Sequence, residues 1–369
     1  MKQILIVFLL AVVAVAAVAC GAPPTPTPLP SPTLPFATVA PTKAPATPTT
    51  AVTATPALPT PTPAPPTATP TRTRVPATPK PAATATSAKP AAPRGSIAYH
   101  QNKAGIDSIL VFNVETNITT PLVDVGPVID LVVGTNAAPG AWSPDNSKYA
   151  FVQTVSLGGS NVLRLLDFKT GTTIPLDSSD SGGGLSSPSW SPDGSRVAYV
   201  RLSGNQQAWS VDIVNADGTG HTTLRKVVGE QYRGGLQWSK QGVFAVAFNT
   251  TGANEVYSMS ADGGSVNNLT KNPADDGSPA WSPDSKLIAF TSNRDGHQQI
   301  YVMNADGSAV RRVSQSTVSD LSPTFSPDGK WIAFASTRNG STDIYMMDLN
   351  GNNVTQLTKG GGDRPAWSH

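Results

Sequence analysis

Cysteine, histidine and charged residues are scarce in this chain of 369 residues, which has one cysteine, four histidines and 14% charged residues. The single cysteine, Cys20, excludes a disulfide within the chain and any metal site built from several thiolates. The sequence also has no Gly-x-Ser-x-Gly elbow, no phosphate-binding loop and no His-Glu-x-x-His motif, which mark common classes of enzyme. We therefore expect a protein that is not an enzyme and that holds no metal and no cofactor.

Acidic residues are absent from the first 93 residues, and this absence distorts the overall charge. The whole chain has 26 Lys and Arg against 24 Asp and Glu. Residues 1–93 contain six of the basic residues, so residues 94–369 are mildly acidic, with 20 basic and 24 acidic side chains. A mildly acidic domain without a stripe of Lys or Arg is not expected to bind nucleic acid.

The first twenty residues have the organisation of a secretory signal. Lys2 precedes an apolar run from Ile4 to Val18, and small residues follow that run. The run is shorter than the roughly 20 residues that span a bilayer. Ala17-Val18-Ala19-Cys20 resembles a bacterial lipobox, although Ala17 stands where leucine is usual. We predict a lipoprotein signal at residues 1–20 and a lipid anchor on Cys20; an ordinary signal peptide or an uncleaved anchor is the alternative.

Proline dominates the next segment, residues 21–93, which holds 22 of the 35 prolines together with many Thr and Ala residues. Such a composition lacks the apolar side chains that could offset the entropy of ordering, so it cannot bury a core. Proline-rich chains favour polyproline II, which rises about 3.1 Å per residue. We predict a disordered stalk that lifts a domain off a membrane; a peptide ligand for a proline-binding groove is the alternative.

A repeat fills residues 94–369, and its most regular mark is an aromatic residue followed by serine. The aromatic positions are Trp142, Trp190, Trp238, Trp281, Phe325 and Trp367, with spacings of 48, 48, 43, 44 and 42 residues. The aromatic residue is followed by a Ser-Pro-Asp-Gly turn and an alternating apolar strand. After these come a polar loop, a third strand, a glycine-containing hairpin and a fourth strand. A period in the forties with four strands in each unit indicates a β-propeller.

These repeats resemble the propeller repeats of TolB and related WD40-like bacterial proteins over residues 95–369. The resemblance and the six copies imply an all-β fold of six four-stranded antiparallel blades at residues 94–369, preceded by the Pro/Thr-rich linker. The first unit has no Trp-Ser strand in front of it, whereas Pro365-Ala366-Trp367-Ser368 supplies one at the end. We therefore predict that the C-terminal strand pairs into the first blade and closes the ring. Ser239-Lys240-Gln241-Gly242 replaces the usual turn in the middle blade.

Strand order assigns the loops to two faces of the predicted propeller. The uniform turns lie on one face, and the variable loops after the second and fourth strands lie on the other. Variable loops on a rigid scaffold are the usual place for function. The candidate partner-binding residues in these loops are Tyr232, Arg233, His297, Arg201, Asp295, Asp363 and Arg364. Tyr232, Arg233 and His297 are the stronger candidates, because they have no counterparts in the other repeats.

Four charged residues recur at fixed positions in successive repeats. Arg294 and Arg338 hold the same position, and Asp276 and Asp320 precede the aromatic residue by the same distance. We interpret such a repeated Arg–Asp pair as structural, tying adjacent blades, rather than as a ligand site.

The sequence as a whole favours an extracytoplasmic scaffold, anchored to the bacterial cell envelope through Cys20, that binds a protein or an envelope component through its variable loops. We expect it to be a monomer. Two alternatives stay open. One is a carbohydrate-active lyase or hydrolase at the channel mouth, for which His100 and His297 are the histidines able to share a face. The other is a structural spacer with no specific ligand.

Overall fold

The computed structural model describes residues 92–103, 106–127, 140–154, 161–179, 182–204, 207–250 and 252–369. These residues form 24 β-strands in six sheets of four antiparallel strands, so the predicted six-bladed propeller is confirmed. Within these ranges, no helix has the length and apolar character needed to cross a membrane. The expectations for residues 1–91, including the lipid anchor at Cys20, fall outside the described residues.

Each blade has its first strand at the central channel and its fourth strand at the rim. The strands of blade 1 are β24 (Asp363–Trp367), β1 (Ser96–Lys103), β2 (Ile106–Asn113) and β3 (Ile118–Pro127). Blade 2 has β4 (Ala141–Trp142), β5 (Lys148–Thr154), β6 (Asn161–Asp167) and β7 (Thr172–Ser178). Blade 3 has β8 (Gly184–Trp190), β9 (Arg196–Leu202), β10 (Ala208–Asn215) and β11 (Thr222–Val228).

Blades 4 to 6 repeat this order with shorter outer strands. Blade 4 has β12 (Gln231–Trp238), β13 (Val243–Asn249), β14 (Asn254–Ser260) and β15 (Val266–Asn268). Blade 5 has β16 (Asp276–Trp281), β17 (Leu287–Ser292), β18 (Gln299–Asn304) and β19 (Arg311–Arg312). Blade 6 has β20 (Asp320–Phe325), β21 (Trp331–Ser336), β22 (Asp343–Asp348) and β23 (Thr355–Gln356).

The ring closes through β24, as the sequence predicts. This strand pairs antiparallel with β1 and places Trp367 opposite Ile97. The N–H of Ser368 donates to the carbonyl oxygen of Ser96 at 2.8 Å. Blade 1 thereby gains its inner strand, and the open edge that an unclosed array would leave is removed.

Apolar side chains are buried between neighbouring blades, in six clusters that follow one another around the ring. One cluster joins blade 6 to blade 1 through Tyr99, Trp331 and Trp367. The next joins blade 1 to blade 2 through Ile109 and Trp142. Because every blade is covered on both faces, its second strand is almost continuously apolar and buried, as β21 shows.

The Ser-Pro-Asp turns are held by hydrogen bonds that the repeated residues supply. In blade 3, the Oγ of Ser191 donates to Asp193 at 2.6 Å and accepts the N–H of Arg196 at 2.9 Å. Hydrogen bonds from serine side chains and backbone hold the pKa of Asp193 down at about 2. The turn in blade 4 has one residue fewer and still forms, because the Oγ of Ser239 accepts the N–H of Val243 at 3.0 Å.

The glycine of the hairpin between the third and fourth strands packs against the preceding blade. Gly351 has a φ of 80°, and a Cβ there would lie 2.1 Å from the carbonyl oxygen of Val313. Gly171, in the corresponding hairpin of blade 2, has a φ of 68° and nothing within 4 Å of that position.

Substitutions at the two glycines therefore measure two different costs: backbone strain alone at Gly171, and strain together with a clash against the neighbouring blade at Gly351. We expect Gly171→Ala to lower the free energy of unfolding by about 1 kcal/mol, through left-handed strain alone. Gly351→Ala should lower it by roughly 2–4 kcal/mol, because the neighbouring blade must also move. Urea denaturation measures both losses, and equal losses would show that the neighbouring blade yields without cost.

Candidate functional site

All seven candidate partner-binding residues lie on one face of the propeller, which we call the loop face. It is formed by the connections after the second and fourth strands of each blade. Its described residues are 140, 179, 182–183, 203–204, 207, 229–230, 250, 252–253, 269–275, 293–298, 313–319, 337–342 and 357–362. Asp295 and His297 lie in these connections, and the other five candidates lie at the adjoining strand ends. The opposite face, which we call the turn face, carries the Ser-Pro-Asp turns and the hairpins between third and fourth strands.

The three stronger candidates differ in how freely their side chains face solvent. Arg233 and His297 are exposed. Tyr232 is half-buried, with its hydroxyl bonded to the Oγ of Ser187 and its ring centroid 5.7 Å from that of Trp209. Burial raises the pKa of Tyr232. Tyr232 therefore packs blade 4 against blade 3, whereas Arg233 and His297 are presented to the outside.

Arg201 is held in a charged cluster between blades 2 and 3. Its Nε lies 2.9 Å from a carboxylate oxygen of Asp212, and its terminal nitrogen contacts Asp177. The hydroxyl of Tyr199 donates to the same Asp177 carboxylate. Burial, followed by the Asp177 carboxylate, raises the pKa of Tyr199. Arg201 is thus engaged with its own chain on two sides.

The remaining three candidates lie in two separate ion pairs, one of which joins Asp295 to Arg312. Asp295 accepts the hydroxyl of Tyr301 and lies 3.4 Å from Arg312. Burial and the Asp295 carboxylate raise the pKa of Tyr301 to about 12. Asp363 and Arg364 lie 3.6 Å apart at the start of β24. The structure therefore distributes the candidates around the loop face instead of gathering them in one cluster.

The recurring Arg–Asp pairs lie inside blades. Arg338 donates to Asp320 at 2.9 Å, and Asp320 begins the inner strand of the same blade. Arg294 pairs with Asp276 in blade 5 at 2.9 Å. Each guanidinium also stacks on aromatic rings, as Arg338 does over Tyr345 at 4.6 Å. The pairs connect the loop after the second strand to the inner strand of one blade, and not two adjacent blades as the sequence suggested.

The two histidines considered for catalysis lie in different blades. His100 is buried on β1 of blade 1, and His297 is exposed in the loop between β17 and β18 of blade 5. In the part of the chain that the structure describes, no three His, Cys, Asp or Glu side chains are grouped so as to hold a metal ion.

A central channel of about 450 Å³ is lined by the inner strands of all six blades. At the turn-face mouth, the residue two places after each aromatic contributes to the wall. These six residues are Pro144, Pro192, Lys240, Pro283, Pro327 and His369. Of the seven candidate partner-binding residues, Arg364 contributes to this wall. The sequence indicated no binding function for the channel, although the break in this run of prolines at Lys240 and His369 was a signal.

A ring of β-bulges forms the loop-face mouth of the channel. The residue three places before the aromatic has a positive φ in five blades. These residues are Ser187 at 52°, Gly235 at 72°, Ser278 at 48°, Ser322 at 52° and Arg364 at 49°. The register of the inner strand shifts at each of these positions. Bulges of this kind redirect side chains at the rims of closed sheets, and here they bring Arg364 into the channel wall.

Two TolB structures are among the solved structures that share this fold. Over 76% of this chain and 68% of its own length, TolB from Acinetobacter baumannii superimposes with a TM-score of 0.63 at 19% identity. Putative TolB from Agrobacterium tumefaciens superimposes with a TM-score of 0.54 at 23% identity, over 73% of this chain and 90% of its own. At these identities the likeness establishes the fold.

A curated relative and a family profile match the sequence itself. The uncharacterized peptidase YuxL of Bacillus subtilis (strain 168) is 28% identical over 152 residues, which are 41% of this chain and 21% of that protein. The chain therefore spans about a fifth of that relative's length. The PD40 family, described as the TolB beta propeller domain, matches residues 180–368, which is just over half of the chain. The chain belongs to the PD40 family of TolB beta propeller domains.

Proposed function

We propose that this protein is an envelope-tethered, extracytoplasmic interaction scaffold that binds a protein or an envelope component through its loop face. One observation carries the proposal: a closed, rigid ring presents uniform turns on one face and variable loops on the other. The exposed side chains of Arg233 and His297 lie on the variable face and have no repeat counterparts. Loops held by a rigid scaffold are where binding residues concentrate.

The residues that lead into β1 support the same choice of face. The carbonyl oxygen of Arg94 accepts the indole N–H of Trp367 at 2.9 Å. A Cβ on Gly95 would lie 3.0 Å from the Oγ of Ser368 and 3.5 Å from Pro327, at the turn-face mouth. The chain therefore enters the propeller on the turn face. Residues 94 and 95 therefore occupy the turn face and not the loop face.

The test is affinity capture with the full-length protein from the detergent-solubilised envelope of the source cell. One bait is unchanged, and a second carries Arg233→Ala and His297→Ala. A third carries Lys169→Ala and Lys286→Ala, two exposed turn-face residues, as the matched control. We expect a partner that the unchanged and control baits retain and that the loop-face variant loses.

The variants leave Tyr232 untouched, because its contacts with Ser187 and Trp209 hold blades 3 and 4 together. A partner retained equally by all three baits would contradict the assignment to Arg233 and His297. Capture of no partner by any bait would contradict the scaffold and favour a spacer or an enzyme, which activity assays on envelope glycans would separate.

A further inference from the structure

The central channel is a feature that the proposed function does not use. Its volume of about 450 Å³ lies in the range of small-molecule sites. The basic residues of its wall are Lys240, Arg364 and His369, and no Asp or Glu among the described residues contributes to the wall. The charges of Lys240 and Arg364 outweigh the one negative charge of the terminal carboxylate of His369, and a wall with a surplus of basic groups attracts anions.

The basic side chains stand at both mouths of the channel. Lys240 replaces proline at the turn-face mouth, and Arg364 replaces serine in the ring of bulges at the loop-face mouth. The five-residue step from Arg364 to His369 corresponds to roughly 16 Å of strand. Burial and the charge of Lys240 lower the pKa of His369. Lys240 and Arg364 therefore supply the permanent positive charge, one at each mouth.

The Asp363 carboxylate only partly compensates Arg364. The two groups are 3.6 Å apart, and Asp363 does not contribute to the channel wall. The side chain of Arg364 is 20% exposed, whereas that of Asp363 is 43% exposed. Arg364 is thus the more enclosed member of the pair and the one that contributes to the wall.

Backbone donors along the wall add to the preference for an anion. In three blades the N–H of the aromatic residue is accepted by a side chain of the preceding blade. Those acceptors are Ser189, Gln237 and Thr324. The corresponding residues in the other three blades are Ala141, Ala280 and Ala366, and alanine has no acceptor to offer. The side chains at these three positions therefore give the neighbouring aromatic N–H no acceptor.

We propose that the channel binds organic anions through their carboxylate or phosphate groups, with Arg364 as the charged contact at the loop-face mouth and Lys240 as the charged contact at the turn-face mouth. A guanidinium presents paired N–H donors that match the oxygens of either group. This site is independent of the partner proposed for the loop face, because Arg233 and His297 do not line the channel.

Isothermal titration calorimetry of the full-length protein at constant ionic strength tests the proposal, with citrate and inorganic phosphate as probes and sucrose as the neutral blank. The first variant is Arg364→Ser, which installs the residue found at Ser187, Ser278 and Ser322. The second is Lys240→Gln, which keeps the backbone N–H that donates to Ser285 at 3.0 Å. Lys286→Gln, outside the channel, is the control.

We expect at least one anion to bind and sucrose not to bind. Each channel variant should weaken binding about tenfold at its own mouth and leave the other mouth unchanged, and the double variant should weaken binding about tenfold at both, as loss of charged hydrogen bonds predicts. Lys286→Gln should bind like the unchanged protein. Binding of citrate alone identifies carboxylate chemistry, and binding of phosphate alone identifies phosphate chemistry.

Two results would overturn the anion site: no heat from either anion at millimolar concentration, or a double variant that binds as tightly as the unchanged protein. Circular dichroism checks that each variant is folded. If Arg364→Ser does not fold, Lys240→Gln decides the question, because Lys240 is exposed and its side chain packs in no buried cluster.

Discussion

Deletion of residues 364–369 is expected to prevent the propeller from unfolding as one cooperative unit. Most of β24 lies in this segment, and Trp367, which is 4% exposed, is buried with Tyr99 and Trp331 between blades 6 and 1. Removing a buried tryptophan side chain costs about 3–5 kcal/mol. Whole domains are stable by only about 5–15 kcal/mol. Loss of the strand hydrogen bonds as well should leave a broad thermal transition, or none, in circular dichroism.

Point variants of Trp367 show how much of the loss of stability comes from the tryptophan side chain and how much from the strand itself. Trp367→Phe keeps an aromatic ring, as blade 6 has at Phe325, but it loses the 2.9 Å hydrogen bond to Arg94. We expect this variant to cost about 1 kcal/mol, whereas Trp367→Ala should cost about 3–5 kcal/mol. A deletion that unfolds at the same temperature as the full chain would contradict closure as a source of stability.

The fold was predictable because its signals are local and repeated. Every Ser-Pro-Asp turn is made by side chains within a few residues, so its sequence carries its structure wherever it recurs. Ring closure was predictable because the first repeat lacked an inner strand and the last residues of the sequence supplied one. The irregular turn at Ser239–Gly242 still connects the first and second strands of blade 4, because that blade is packed against a neighbour on both sides.

The channel could not be predicted in the same way. Its loop-face mouth depends on positive φ values at Ser187, Ser278, Ser322 and Arg364, which are residues that give no local sign of that conformation. Its walls are assembled from six strands that are more than forty residues apart in sequence. The Arg338–Asp320 pair shows a similar limit: the repeat identified both residues, but the register was needed to place them in one blade.

Replacing Arg338 with methionine is expected to lower the free energy of unfolding by about 3–5 kcal/mol, because it leaves a buried carboxylate without its counter-charge. The Asp320 side chain is 0% exposed, and its second oxygen has no hydrogen-bond partner among the described residues. The variant also loses the stacking of Arg338 on Tyr345. Urea denaturation at neutral pH measures the change.

Two comparisons show whether the buried charge is the cause of that loss. The solvent-exposed Asp284–Lys286 pair has side-chain exposures of 56% and 79%, so Lys286→Met should cost less than about 1 kcal/mol. Blade 3 has Leu185, which is 2% exposed, at the position of Asp320. The double variant Asp320→Leu, Arg338→Met should therefore recover most of the lost stability. If it is as unstable as Arg338→Met alone, the stacking on Tyr345 and not the uncompensated carboxylate accounts for the loss.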